Sequence, residues 1–122
     1  MERDRFEALV DKALNSLPPS LLQRMENIAL MVEDWPSGEQ LKKSKIRHPR
    51  ELLGLYEGIP LPNRTSGYNM VLPDRITIFQ NPIEQLYRTD AKIVEKIQDT
   101  VYHEIAHYFG ISDSRLRQMG KY

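Results

Sequence analysis

A chain of 122 residues with 40% hydrophobic and 28% charged content has the size and composition of one globular domain with a single modest core. Seventeen basic residues balance seventeen acidic ones, so overall charge draws the chain neither to nucleic acid nor to anionic lipid. With no cysteine, disulfides, thiolate ligands and a cysteine nucleophile are excluded together, and any metal must be held by nitrogen and oxygen.

In chain order, Phe6, Leu9, Val10, Ala13, Leu14 and Leu17 recur at helical spacing and predict a helix from Arg3 to Leu17, ended by Pro18 and Pro19. Its charged start, MERDRFEALVDKAL, has no apolar h-region, and no later run has the length of a membrane span, so a cytoplasmic protein is expected. SLLQRMEN predicts a short second helix from Ser20. IALMVEDWP, closed by Asp34 and Pro36, predicts a buried strand. Pro36 to Pro49 is poor in apolar side chains, and its basic run KKSKIRHPR has no interleaved aromatics, so a solvated loop is expected rather than a nucleic-acid contact. ELLGLYEGIPLPNRTSGYN, broken by Gly54, Gly58, Pro60, Pro62 and Gly67, predicts an irregular, partly buried connection.

Ile76, Thr77, Ile78 and Phe79 alternate within a predicted strand from Arg75 to Gln80, whose two faces differ little in polarity. After a helical turn at IEQLY, Thr89 or Asp90 caps a long helix from about Ala91. At about 100° per residue, Val94, Ile97, Val101, Ile105 and Tyr108 form its core stripe, while His103 and His107 project side by side from another sector.

That second sector carries the chemistry. HEIAH places two imidazole ligands four apart and sets Glu104 beside them, the mechanical content of His-Glu-x-x-His. Gly110 can end the helix through a positive φ and turn the chain back, bringing Asp113 within reach as a third ligand. Two imidazoles and a carboxylate leave one position of a tetrahedral zinc open for water, as in catalytic rather than structural sites. Glu104 then stands as the general base. The competing reading of the two histidines is an exposed helical pair that binds nothing.

HEIAHYFGISD, with ALNSLP, NIALMVED, LLGLYEGIPL and LPDRITIFQNPIE, resembles the small bacterial zincin-like metallopeptidases, or minimal zincins, over nearly the whole chain. The resemblance implies an α/β (α+β) zincin-like domain spanning 1–122, with a small mixed sheet packed on helices that include the metal-bearing one. It implies Zn2+ held by His103, His107 and Asp113, with Glu104 as the base. It further implies an edge strand above the active-site helix that pairs with an extended peptide or exposed protein segment. Ile76, Thr77, Ile78 and Phe79 are the candidates for that strand, with an interior strand as the equal alternative. Tyr56 is a candidate oxyanion donor, against a loop-packing role.

Larger zincins add a C-terminal subdomain as a lower wall of the cleft, whereas this sequence ends soon after Asp113, so a shortened cleft is expected. Met119 is read as a packing residue and not as a methionine turn. The expected function is zinc-dependent peptide-bond hydrolysis. The alternative is a metal-binding, non-catalytic module of the same fold that recognises a peptide or protein without cutting it.

Overall fold

The computed structural model describes residues 1–58 and 74–109. Within them the elements run α1 (Arg3–Asn15), α2 (Pro19–Arg24), β1 (Ile28–Glu33), α3 (Gly38–Ser44), a 3-10 turn at Pro49–Glu51, β2 (Gly54–Glu57), β3 (Asp74–Phe79), α4 (Gln80–Leu86) and α5 (Asp90–Phe109). This is the mixed α+β architecture that the family resemblance implies. None of the described helices is long and apolar enough to cross a membrane.

The sheet has the order β1-β3-β2, with β1 parallel and β2 antiparallel to β3. Ile76 and Ile78 of β3 point into the core shared with α1 and α5. Phe6, Leu9, Val10 and Ala13 close that core from α1, and Ile97, Val101 and Ile105 from α5. Thr77 and Phe79, on the opposite face of β3, are buried as well. A strand buried on both faces has no polar alternation to show, which is why its two faces read alike in the sequence.

This placement corrects one expectation. Ile76 to Phe79 is not an edge strand: β1 and β2 occupy both of its sides, so its backbone hydrogen bonds are already made within the sheet. Among the described strands, the edge next to α5 belongs to β2, in the stretch predicted to be an irregular connection.

The basic stretch predicted as a loop is also partly helical. Ser37 and Gln40 form a reciprocal capping box at the start of α3: the Gln40 N–H donates to Ser37 Oγ and the Ser37 N–H to Gln40 Oε1. Lys45 closes the helix in the left-handed region, with φ 61°. Buried Gln40 then donates from Nε2 to Glu57 Oε1 at 3.1 Å. Lys43 Nζ lies 3.1 Å from Glu57 Oε2, and Arg75 Nε 3.5 Å from Oε1. Through Glu57, α3 is fastened to the end of β2.

Burial alone pushes the Glu57 carboxyl up, but the Gln40 and Lys43 hydrogen bonds, with the charges of Arg75 and Lys43, outweigh it and hold the group below the usual carboxylate range. A depressed folded-state value adds stability that is fully present above the unfolded value of about 4.3 and is lost as pH falls through the folded one. Glu57→Gln is therefore expected to be less stable at neutral pH by about 1–3 kcal/mol. It should also lose less stability than the parent on acidification below that unfolded value. Urea midpoints measured across this range check both statements, and parallel acid limbs for the two proteins would contradict the second.

Candidate metal and catalytic site

The site stands on α5. Thr89 caps the helix, its Oγ1 accepting from the Lys92 N–H at 3.3 Å. Ile93, Ile97, Val101 and Ile105, each four residues on from the last, lie at or near zero exposure and fix the helix by its core stripe, joined by Tyr102 and Ala106. Val94 only packs at the margin. Tyr108, predicted to belong to the stripe, is 50% exposed. With the helix held this way, His103 and Glu104 are half-buried, and His107, one turn further along the same side, is exposed.

The two imidazoles face the same side, with ring centres 6.4 Å apart and planes at 72°. His103 Nδ1 sits 2.7 Å from the carbonyl oxygen of Asp99. A carbonyl only accepts, so in the neutral ring Nδ1 carries the proton and Nε2 presents its lone pair, the form a metal needs. Two rings sharing a tetrahedral zinc at about 2.0–2.1 Å from each nitrogen have centres roughly 5 Å apart. The observed pair is somewhat wider than that, and exposed His107 is the ring with room to close the difference. The donor set thus fits zinc in type and in tautomer. Gly110 and Asp113 lie outside the described residues, and among those described no group of three His, Cys, Asp or Glu side chains converges on one point.

Glu104 is held from the sheet. Its Oε1 accepts the backbone N–H of Tyr56, on β2, at 2.8 Å. Burial raises its carboxyl above the ordinary range, opposed by the Tyr56 N–H and by the charges of His107 and His103. A shallow groove of about 320 Å³ opens beside it, bounded by Leu53 and Gly54 on the sheet side and by Lys96, Thr100, His103 and Glu104 on the helix. His48, the third histidine, lines a different groove with Arg50 and Leu86.

Tyr56 reaches this site in a way the sequence does not indicate. It lies in a strand, not a loop, and touches Glu104 through its backbone. Its phenol donates to Asp74 Oδ2 at 2.8 Å, and its ring stacks on Tyr108 with centres 4.0 Å apart and planes at 20°. Burial, the hydrogen bond to Asp74 and that carboxylate's charge all push the phenol up, so it remains a protonated donor committed to Asp74. The signal available in the sequence was the pair of glycines flanking LYE. At Gly54 a Cβ would stand 2.5 Å from Thr100 Cγ2 and 3.2 Å from the Thr77 carbonyl oxygen, and at Gly58 one would stand 2.9 Å from the Tyr108 hydroxyl. Both glycines let β2 lie close on α5.

Compared with known proteins, the sequence model of a family described as zincin-like metallopeptidase matches residues 25–121. No curated protein matches the chain.

The Gly54 contact yields a direct check on how tightly sheet and helix must meet. The Thr100 hydroxyl donates to the Lys96 carbonyl at 2.8 Å, which fixes the rotamer that aims the methyl at Gly54. Gly54→Ala is expected to cost about 1–3 kcal/mol by overpacking. Adding Thr100→Ser, which keeps the hydroxyl and removes the methyl, should recover a large part of that loss. Denaturation of the two single variants and the double variant measures the coupling, and a fully stable Gly54→Ala protein would refute the close approach.

Proposed function

The chain belongs to the zincin-like metallopeptidase family, and from that premise we propose that it hydrolyses peptide bonds with zinc as cofactor and Glu104 as the general base. The observation that carries this reading is the Tyr56–Glu104 hydrogen bond beside the imidazole pair. It sets the one carboxylate of the HEIAH face at the groove, half-buried and with its proton affinity raised, the condition a base near neutral pH requires.

His103 and His107 would hold the metal, with Asp113 as the third ligand by its spacing and by the family resemblance. When bound, zinc supplies the Lewis acidity that makes water a nucleophile at neutral pH and polarises a peptide carbonyl. Glu104 takes up the proton that the attacking water gives up and returns it to the leaving amine. Because the Tyr56 N–H occupies Oε1, Oε2 is the oxygen left for that traffic. The Asp99 carbonyl keeps His103 in one tautomer throughout.

The substrate is a peptide or an exposed protein segment, and β2 takes the role of the pairing strand. In an antiparallel ladder, successive residues turn their backbone groups alternately toward and away from the partner strand. The Tyr56 N–H points away from β3, toward α5. The carbonyl of Gly54, two residues before it, therefore faces outward as well, at the groove, where an extended chain can donate to it.

Glu104→Gln is expected to keep stoichiometric zinc and to lower peptide cleavage by at least a thousandfold, since the amide accepts no proton while the ligands are untouched. His103→Ala should lose zinc and cleavage together. Metal analysis run beside a mixed peptide library checks both variants. Cleavage retained by Glu104→Gln would remove the carboxylate from the reaction, and a zinc-loaded parent that binds peptides without cutting them would leave the non-catalytic module in its place.

A further inference from the structure

Tyr56 is tied in three directions at once. Its backbone N–H reaches Glu104 at 2.8 Å, its phenol reaches Asp74 at 2.8 Å, and its ring lies flat on Tyr108. We propose that Asp74 and Tyr108 are positioning residues for Glu104, acting through Tyr56 to hold the edge-strand N–H that fixes the carboxylate. The proposal rests on the reading of Glu104 as the base.

The need for such a device follows from the topology. β2 has four residues and, among the described residues, is laddered on one side only, to β3. A short edge strand is the part of a sheet with the fewest bonds restraining it sideways. Yet its outward N–H must stay within hydrogen-bond reach of a side chain on a separate helix, and a few tenths of an ångström decide whether a carboxylate is oriented.

The two side-chain ties come from different elements, Asp74 from β3 and Tyr108 from α5. Asp74 opens β3 and shares a face with Ile76, the register partner of Tyr56, so its grip on the phenol braces Tyr56 against the central strand from the diagonal position. Tyr108 follows Glu104 by one helical turn. Strand residue and helix therefore meet at two points on one face of α5: the N–H on Glu104 and the ring on Tyr108. Two contacts a turn apart resist both sliding and rotation of β2 over the helix, where one hydrogen bond would act as a pivot. Gly58, on which a Cβ would collide with the Tyr108 hydroxyl, keeps that second contact close.

Tyr56→Phe removes the phenol while keeping ring and backbone, and Asp74→Asn leaves a weaker, neutral acceptor. In metal-free protein, hydrogen exchange of the Tyr56 amide followed by NMR is expected to quicken about tenfold in Tyr56→Phe and several-fold in Asp74→Asn. The Leu55 and Glu57 amides, which face β3, should keep the parental rate, and Glu104→Ala, lacking the acceptor, sets the upper limit. In zinc-loaded protein both variants should lower kcat about tenfold with KM and zinc content little changed. Unaltered Tyr56 exchange in both variants would overturn the proposal, as would exchange that quickens equally along all of β2, since that is general loosening of the strand. The metal-free measurement stands whether or not the chain cuts peptides. Loss of the catalytic reading would thus show in the activity assay alone, and loss of the positioning device in the exchange rates.

Discussion

A half-buried carboxylate needs a donor, and in this protein the donor is a backbone amide across the gap between a strand and a helix. Taking an ionised group from water is costly unless hydrogen bonds replace the lost solvent. The Tyr56 N–H supplies one such bond to Glu104. A strand with partners on both sides has every amide engaged in the ladder, so only an edge strand can offer one outward. The order β1-β3-β2, with β2 at the margin of the described strands over α5, is therefore a condition for the site and not merely its background.

The same condition explains the residues around that edge. For the amide to reach Glu104, backbone must come close to the helix on either side of Tyr56, and at both places the chain has glycine where a Cβ would strike Thr100 or Tyr108. Between the glycines, Glu57 is pinned by Gln40, Lys43 and Arg75. α3 thereby anchors the strand whose amide holds Glu104. The fold places its polar buried network one residue from the amide that the site depends on.

How much of this was legible in the sequence depends on how far apart the determinants lie. α5 and its reactive sector were readable, because the helical period is local and Ile97, Val101 and Ile105 declare the buried side within a dozen residues. Tyr108 departs from that period: an aromatic at core spacing is here half exposed, its ring used on Tyr56 and not on the core. α3 was hidden by its lysines, although Ser37 and Gln40 spell a capping box, and that was the signal to weigh. The rank of the strands could not be read locally. Whether Ile76 to Phe79 is central or marginal is decided by the partners it finds, and the only trace in the sequence is that both of its faces are equally apolar. In LLGLYEG the glycines look locally like interruptions, because nothing in the sequence says that α5 packs against this stretch. Once α5 lies there, they are what close packing demands.

The two imidazoles also differ in preparation, and the difference follows from the helix they share. His103 is half-buried and its Nδ1 is engaged by the carbonyl one turn earlier, so its ring is oriented before any metal arrives. His107, one turn later, lies in the exposed last part of α5, beyond the cover that β2 gives to Glu104. On the proposed reading of the pair as metal ligands, the two rings divide two tasks that conflict in a rigid site. The anchored ring sets position and tautomer, and the exposed ring retains the freedom to bring the 6.4 Å separation down to what a common ion requires. The carboxylate between them is anchored like the first ring and not free like the second. On the proposed reading, Glu104 and His103 would be the fixed references against which metal, water and peptide are placed.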